Sequence, residues 1–216
     1  MTEVEWDEGH DPTEMLEALR DCSSGNQFVR YAILCLRYIG AESTADILHR
    51  RLTGERVENT WLAARIQLEI QARRHSGGGY SQGRKPVRIP LATQRARAGL
   101  AALHSSPWEA AVQVTQETRH QLQRSQSAWL KCLFSNPFRP ISIDPAWLTD
   151  TVTNLATVAY EERNLPSGEL DPVRLAVLSD ALEESGCNNA DMLRHLRGPG
   201  PHVRGCWVVD LLLGKS

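Results

Sequence analysis

At 216 residues the chain is long enough for one large core or two small ones. Hydrophobic residues make up 41% and charged residues 23%, with a formal net charge of −2, which argues against wholesale disorder and makes neither nucleic acid nor an anionic membrane an automatic partner. The acidic start MTEVEWDEGHDPTEM lacks the basic, apolar character of a secretory leader, and no segment approaches the ~20 apolar residues that span a bilayer, so a soluble cytoplasmic protein is expected.

Helical signals run through almost the whole chain. Asp11 followed by Pro12 predicts a helix over 11–22 with Met15, Leu16 and Leu19 inward. Ser24 with Gln27 fits a capping box, and the nearly all-apolar run from Phe28 to Ile39 predicts a buried helix ended by Gly40. Ser43 or Thr44 is expected to cap a short helix carrying Ile47, Leu48 and Leu52. Over 55–75, Val57, Trp61, Ala64 and Leu68 follow helical spacing, and Ile66 and Ile70 are taken to widen that stripe. Glycines then break the pattern in HSGGGYSQGRKPVRIP, a predicted loop at 75–90.

Pro90 opens a predicted helix through Leu91, Ala96, Leu100 and Leu103. Ser106-Pro107-Trp108-Glu109 is a strong helix start, and the helix is expected to run to about Ser135 on a thin stripe of Trp108, Val112, Thr115, Leu122, Trp129 and Leu133. After the proline-rich connector 136–148, Asp144-Pro145 and Asp171-Pro172 each offer an N-cap followed by proline. The helices assigned to them carry Val152, Leu155, Ala156 and Ala159, then Leu175, Leu178 and Leu182. Asn188 or Asn189 caps a short helix stopped by Gly198-Pro199. The expected fold is all-α, an irregular bundle or array of roughly ten helices. Its parts are 1–75, a loop at 76–90 and 91–216, either as one integral domain or as two meeting near 76–90 or 136–144.

The ending RGPGPHVRGCWVVDLLLGKS admits two readings. Cys187, His195, His202 and Cys206 are all zinc-binding residue types, and His202 and Cys206 are spaced to share a helical face. However, eight residues of helix between Cys187 and His195 span ~12 Å, too far for two ligands of one ion, whereas His195, His202 and Cys206 remain compatible. On the other reading His195 meets a helix dipole, Gly198 to Pro201 form an elbow, and CWVVDLLL is a last buried helix with Cys206 as a small apolar residue. This second reading is preferred. It leaves Arg197, His202 and Arg204 at the corner as a cationic group for an anion or acidic partner.

A second candidate lies in the middle. Arg73, Arg74, Arg84, Lys85, Arg88, Arg95 and Arg97 fall in a stretch with no acid, suited to following a phosphate backbone. Residues 1 to 21 carry eight acids against Arg20 alone, so the two stretches can equally answer each other. The triple glycine is no P-loop, and GxSxG is absent, so no catalytic residue is assigned. The five cysteines, Cys22, Cys35, Cys132, Cys187 and Cys206, are odd in number and without CxxC spacing, which predicts free thiols in helical cores.

The stretches NPFRPISIDPAWLTDTV, LATVAYEERN and LAVLSDALEESGCNNADMLRHLRGPGPHVRGCWVVDLLLGKS, together with MTEVEWDEGHDPTEMLEALRD and the FVRYAILCLRYI helix, resemble proteins of planctomycete-type bacteria that carry this tail and have no assigned activity. LSDALEESGC is also similar to the LVYADWLEERGD-like companion domain of such genomes. The resemblance covers about 1–40 and 134–216 and implies a helical protein with a variable middle; it assigns no site residue. The leading expectation is a non-enzymatic interaction or scaffold module with a protein partner and no cofactor. The alternatives are a metal- or ligand-binding domain holding Zn²⁺ at the corner, and a nucleic-acid-binding protein using 73–97.

Overall fold

A computed structural model describes residues 1–9, 11–73, 90–103, 106–164 and 168–215. Among these residues are eleven α-helices, one short 3-10 turn and no strand, so the fold is an all-α array. None of the helices is long and apolar enough to cross a membrane. The residues group into two compact units, Asp11–Gln126 and Met1–His10 with Ser127–Ser216.

The Asp11–Gln126 unit holds α2 (Pro12–Leu19), α3 (Gly25–Tyr38), α4 (Glu42–Leu52), α5 (Glu58–Arg73), α6 (Leu91–Ala102) and α7 (Pro107–Leu133) as far as Gln126. Local chemistry sets the starts. The Asp11 carboxylate accepts from the Thr13 N–H at 2.8 Å, with Pro12 at the first helical position. Ser24 and Gln27 form the reciprocal capping box, and Ser106 Oγ accepts from the Glu109 N–H at 3.1 Å. The α4 cap is a correction: the helix opens at Glu42 behind Ala41 with no side-chain cap, and Thr44 is buried instead.

Helix α3 is the centre of this unit, with Tyr31, Cys35 and Leu36 fully buried. The Tyr31 hydroxyl pairs with Thr115 Oγ1 at 2.8 Å, and Thr115 donates to the Ala111 carbonyl at 2.7 Å, so Tyr31 is the donor. Gly40 ends α3 in the left-handed region at φ +75, where a Cβ would lie 2.7 Å from the Arg95 guanidinium; Arg95 Nε donates to the Ile39 carbonyl at 2.5 Å.

Helix α5 departs from its expected face. None of its residues is buried. Leu68 packs toward α6, where a Cβ on Gly99 would come within 3.2 Å of it, and Trp61 lies under the Arg51 guanidinium at 4.6 Å. Ile66 and Ile70 do not widen this stripe. Each lies two residues from Leu68, about 160° round the helix, and together with Leu62 they are exposed. Hydrophobicity identified the apolar residues but not which of two opposed stripes finds a partner.

The two units meet in sequence at 10/11 and 126/127, and of the stretch expected as a loop at 76–90 only Pro90 lies among the described residues. Helices α5 and α6, on either side of that stretch, pack on each other and belong to one unit.

Asp11 allows a simple test. Partial burial would raise its carboxyl, but the Thr13 N–H and the Arg119 guanidinium at 2.7 Å hold it below its ordinary value. A depressed carboxyl stabilises the fold above its unfolded value and loses that contribution as pH falls through the lower folded value. Asp11→Ala is therefore expected to cost about 1 kcal/mol in urea unfolding at neutral pH, and progressively less below about pH 4. A cost independent of pH would contradict the capping account.

The Met1–His10 and Ser127–Ser216 unit holds α1 (Glu3–Glu8), the remainder of α7, the 3-10 turn Pro145–Trp147, α8 (Asp150–Glu161), α9 (Pro172–Glu184), α10 (Ala190–Arg197) and α11 (Trp207–Leu212). Its core joins Leu130, Leu133 and Phe134 of the α7 end with Val152, Leu175, Leu178, Met192, Leu196 and Val209. Asp171 and Asn189 cap α9 and α10, as their sequence positions suggest. Asp144 caps only the 3-10 turn; the N-cap of α8 is Thr149, whose hydroxyl accepts from the Val152 N–H.

Helix α1 was not expected from the sequence. Thr2 and Glu5 form its capping box, Gly9 closes it at φ +67, and Trp6 is buried. Arg139 reaches Glu3 and Asp7 at 2.6 Å and Asp191 at 2.9 Å, tying α1 to α10. Lys131 Nζ donates to the Asp7 carbonyl at 2.5 Å. Gly9 lies directly against α7, where an added Cβ would sit 3.7 Å from Cβ of Ser127.

Candidate metal centre

The corner of the chain is built from three stretches that converge. The last turn of α7 presents Cys132, 1% exposed, on its buried side. The last turn of α10 presents His195. Residues 198–206 then form a non-helical elbow that delivers His202 and Cys206. Gly200 is in the left-handed region at φ +75, and a Cβ there would lie 2.9 Å from the His202 nitrogen, so the elbow needs glycine at this point. The elbow is pinned from the other side, since the Leu170 N–H donates to the His202 carbonyl at 2.8 Å and Val203 bridges Glu169.

Cys132, His195, His202 and Cys206 each bring one ligand atom to a cluster in which all four lie within 4.8 Å of one another. His195 Nε2 is 3.3 Å from Cys206 Sγ, and the Val203 N–H donates to Cys132 Sγ at 3.3 Å. The two imidazoles meet edge to face at 4.8 Å, and His195 also leans on Trp207 at 5.3 Å. His202 Nε2 is 3.2 Å from the Gly198 carbonyl, which can only accept, so Nε2 carries the proton. Nδ1 of the same ring is buried with no hydrogen-bond partner. A backbone carbonyl that fixes the tautomer and leaves the other nitrogen bare is the arrangement seen behind metal-bound histidines.

The electrostatics agree. Burial alone would raise Cys206, but the Cys132 hydrogen bond and the imidazoles of His195 and His202 hold it well below the ordinary thiol value. Burial pushes Cys132 well above that value, and the neighbouring Cys206 and Asp210 add to the rise. Burial would lower His202, but the Cys206 sulfur and the Gly198 carbonyl outweigh it and leave the imidazole above 6.5. The fold thus favours ionisation at Cys206 over Cys132. A tetrahedral zinc with bonds of 2.0–2.3 Å needs ligand atoms roughly 3.3–3.8 Å apart, so the cluster would close by only about 1 Å at its widest pair. A cleft of about 350 Å³ is lined in part by Cys132, His195, His202 and Trp207.

Several expected site residues lie elsewhere. Cys187 is buried beyond the end of α9 and is not in the cluster; α10 separates it from His195, as helix length requires. His202 and Cys206 do not share a helical face, because 201–206 is non-helical and Cys206 only precedes α11. The cations expected at the corner have partners within the fold. Arg197 pairs with Asp180 at 2.8 Å and Glu183 at 2.5 Å, Arg204 stacks over Tyr160 at 5.0 Å, and His202 is buried. Arg73 lies 4.0 Å from Glu69, while Arg74, Arg84, Lys85 and Arg88 fall outside the described residues. Cys132 had no local signal, since its partners come from the far end of the sequence.

Compared with known proteins, the chain matches no family model, no curated protein and no solved structure.

Proposed function

We propose that the chain is a zinc-binding helical module in which Cys132, His195, His202 and Cys206 hold a structural Zn²⁺ that staples the C-terminal elbow to the end of α7. The observation that carries this reading is the convergence of four buried or half-buried ligand atoms within 4.8 Å, drawn from three separate stretches. Two sulfurs and two imidazoles suit zinc and disfavour magnesium or calcium, which take oxygen ligands. Four protein ligands fill a tetrahedral shell and leave no position for substrate, which supports a module that works by binding rather than catalysis. A reducing cytoplasm, where thiols stay free, suits such a site.

Native mass spectrometry tests the proposal. Protein stripped of metal at low pH, refolded and titrated with Zn²⁺ should gain one zinc per chain. The His202→Ala chain, titrated in the same way, should gain none. If the wild-type chain stays at its metal-free mass with zinc in excess, the reading fails.

A further inference from the structure

Helix α5 carries two apolar faces, and only one is used within its unit. Trp61, Ala64 and Leu68 turn toward the neighbouring helices and are half-buried. On the opposite side Leu62, Ile66 and Ile70, at successive intervals of four, are 60%, 51% and 50% exposed. Isolated exposed aliphatic residues are ordinary, but three in a row on one helix form a continuous strip of the kind that marks an interface.

The charges at the ends of this strip say what fits it. With about 100° per residue, Glu58 and Arg73 fall on the same side of the helix as the strip, one before Leu62 and one after Ile70. The Arg73 side chain is 82% exposed. Beside the strip, Glu69 is shared between Arg65 at 3.4 Å and Arg73 at 4.0 Å, which leaves one positive charge over at that end of the helix. Two parallel copies of α5 would therefore set glutamate against glutamate and arginine against arginine. Two antiparallel copies, centred on Ile66, set Leu62 against Ile70 and bring Glu58 of each beside Arg73 of the other.

We propose that the exposed Leu62-Ile66-Ile70 face of α5 is a self-association surface, on which a second copy of this chain docks through its own α5 in antiparallel orientation about Ile66. The interface is independent of the metal centre, whose ligands all lie in the other unit.

The test uses the full chain in zinc-containing buffer. Sedimentation equilibrium should show a concentration-dependent dimer. Ile66→Glu should weaken it by roughly 100-fold or more, since two buried carboxylates would face each other at its centre. The circular dichroism spectrum should not change, because the residue is half exposed in the single chain. In a Cys22→Ser background, which removes the exposed native thiol, mild oxidation of the Ile66→Cys chain should give a covalent dimer. A mixture of Leu62→Cys and Ile70→Cys chains should cross-link to each other in preference to themselves. A wild-type chain that stays monomeric at high micromolar concentration, an Ile66→Glu chain that dimerises equally well, or preferential cross-linking of each Leu62→Cys chain to its own kind would each overturn the proposal.

Discussion

Cys132→Ser is expected to empty the metal centre, whereas Cys187→Ser is expected to leave it full. Both thiols are buried, so packing loss is similar in the two variants and the contrast isolates ligation. Structural zinc contributes about 10–16 kcal/mol of apparent binding free energy in small zinc-dependent domains. Even a fraction of that, about 3 kcal/mol, would lower the melting temperature by roughly 10 °C. A chelator should reproduce the fall in the wild-type and Cys187→Ser chains and leave Cys132→Ser unmoved. Equal metal content and equal melting in the two variants would remove Cys132 from the site.

The pH dependence follows from the same centre. In the metal-free chain the fold holds His202 above 6.5, so it favours the protonated ring. That contribution is complete below the unfolded value and disappears as pH rises through the folded one. Zinc requires the neutral ring and ionised sulfur, so its contribution grows in the opposite direction. The gap in melting temperature between loaded and chelated protein should therefore widen from about pH 6 to pH 8. A gap that narrows over this range would be inconsistent with ligation by His202.

Leu212→Asp should be more damaging still. Leu212 is 3% exposed on α11, which packs against α8. A carboxylate there would be buried without a partner, a change expected to cost about 4 kcal/mol or more. Limited proteolysis should then cut within 127–215 while fragments of 11–126 persist. Zinc should be lost as well, because Cys206 immediately precedes the same helix. Unchanged melting and unchanged proteolysis would show that α11 is not held by its apolar face.

What the sequence made legible was local. Asp11, Ser24, Ser106, Asp171 and Asn189 were recognisable as helix starts because a cap and its N–H donors lie within three residues. Thr2 and Glu5 carried the same signal, but a six-residue helix has too little periodicity behind it to stand out. The two faces of α5 were merged because hydrophobicity does not say which stripe meets a neighbour. The candidate site was half legible. His195, His202 and Cys206 sit close enough in sequence to be read together, and helix geometry already counted against Cys187. Cys132 and the partners of Arg197 and Arg204 are settled only by long-range packing, which spacing along the chain does not encode.

Gly9 and Ser127 lie side by side within one unit. The backbone leaves the unit that contains the four-residue Cys/His cluster after α1 and re-enters it beside the point where it left. In chain order the Asp11–Gln126 unit is thus an insertion between the two segments of the other unit. Trp6, Arg139 and the four cluster residues all lie in the host segments, and the exposed face of α5 lies in the insertion. Such a host can keep its own architecture while carrying different passengers, and the α5 face would then belong to the passenger alone.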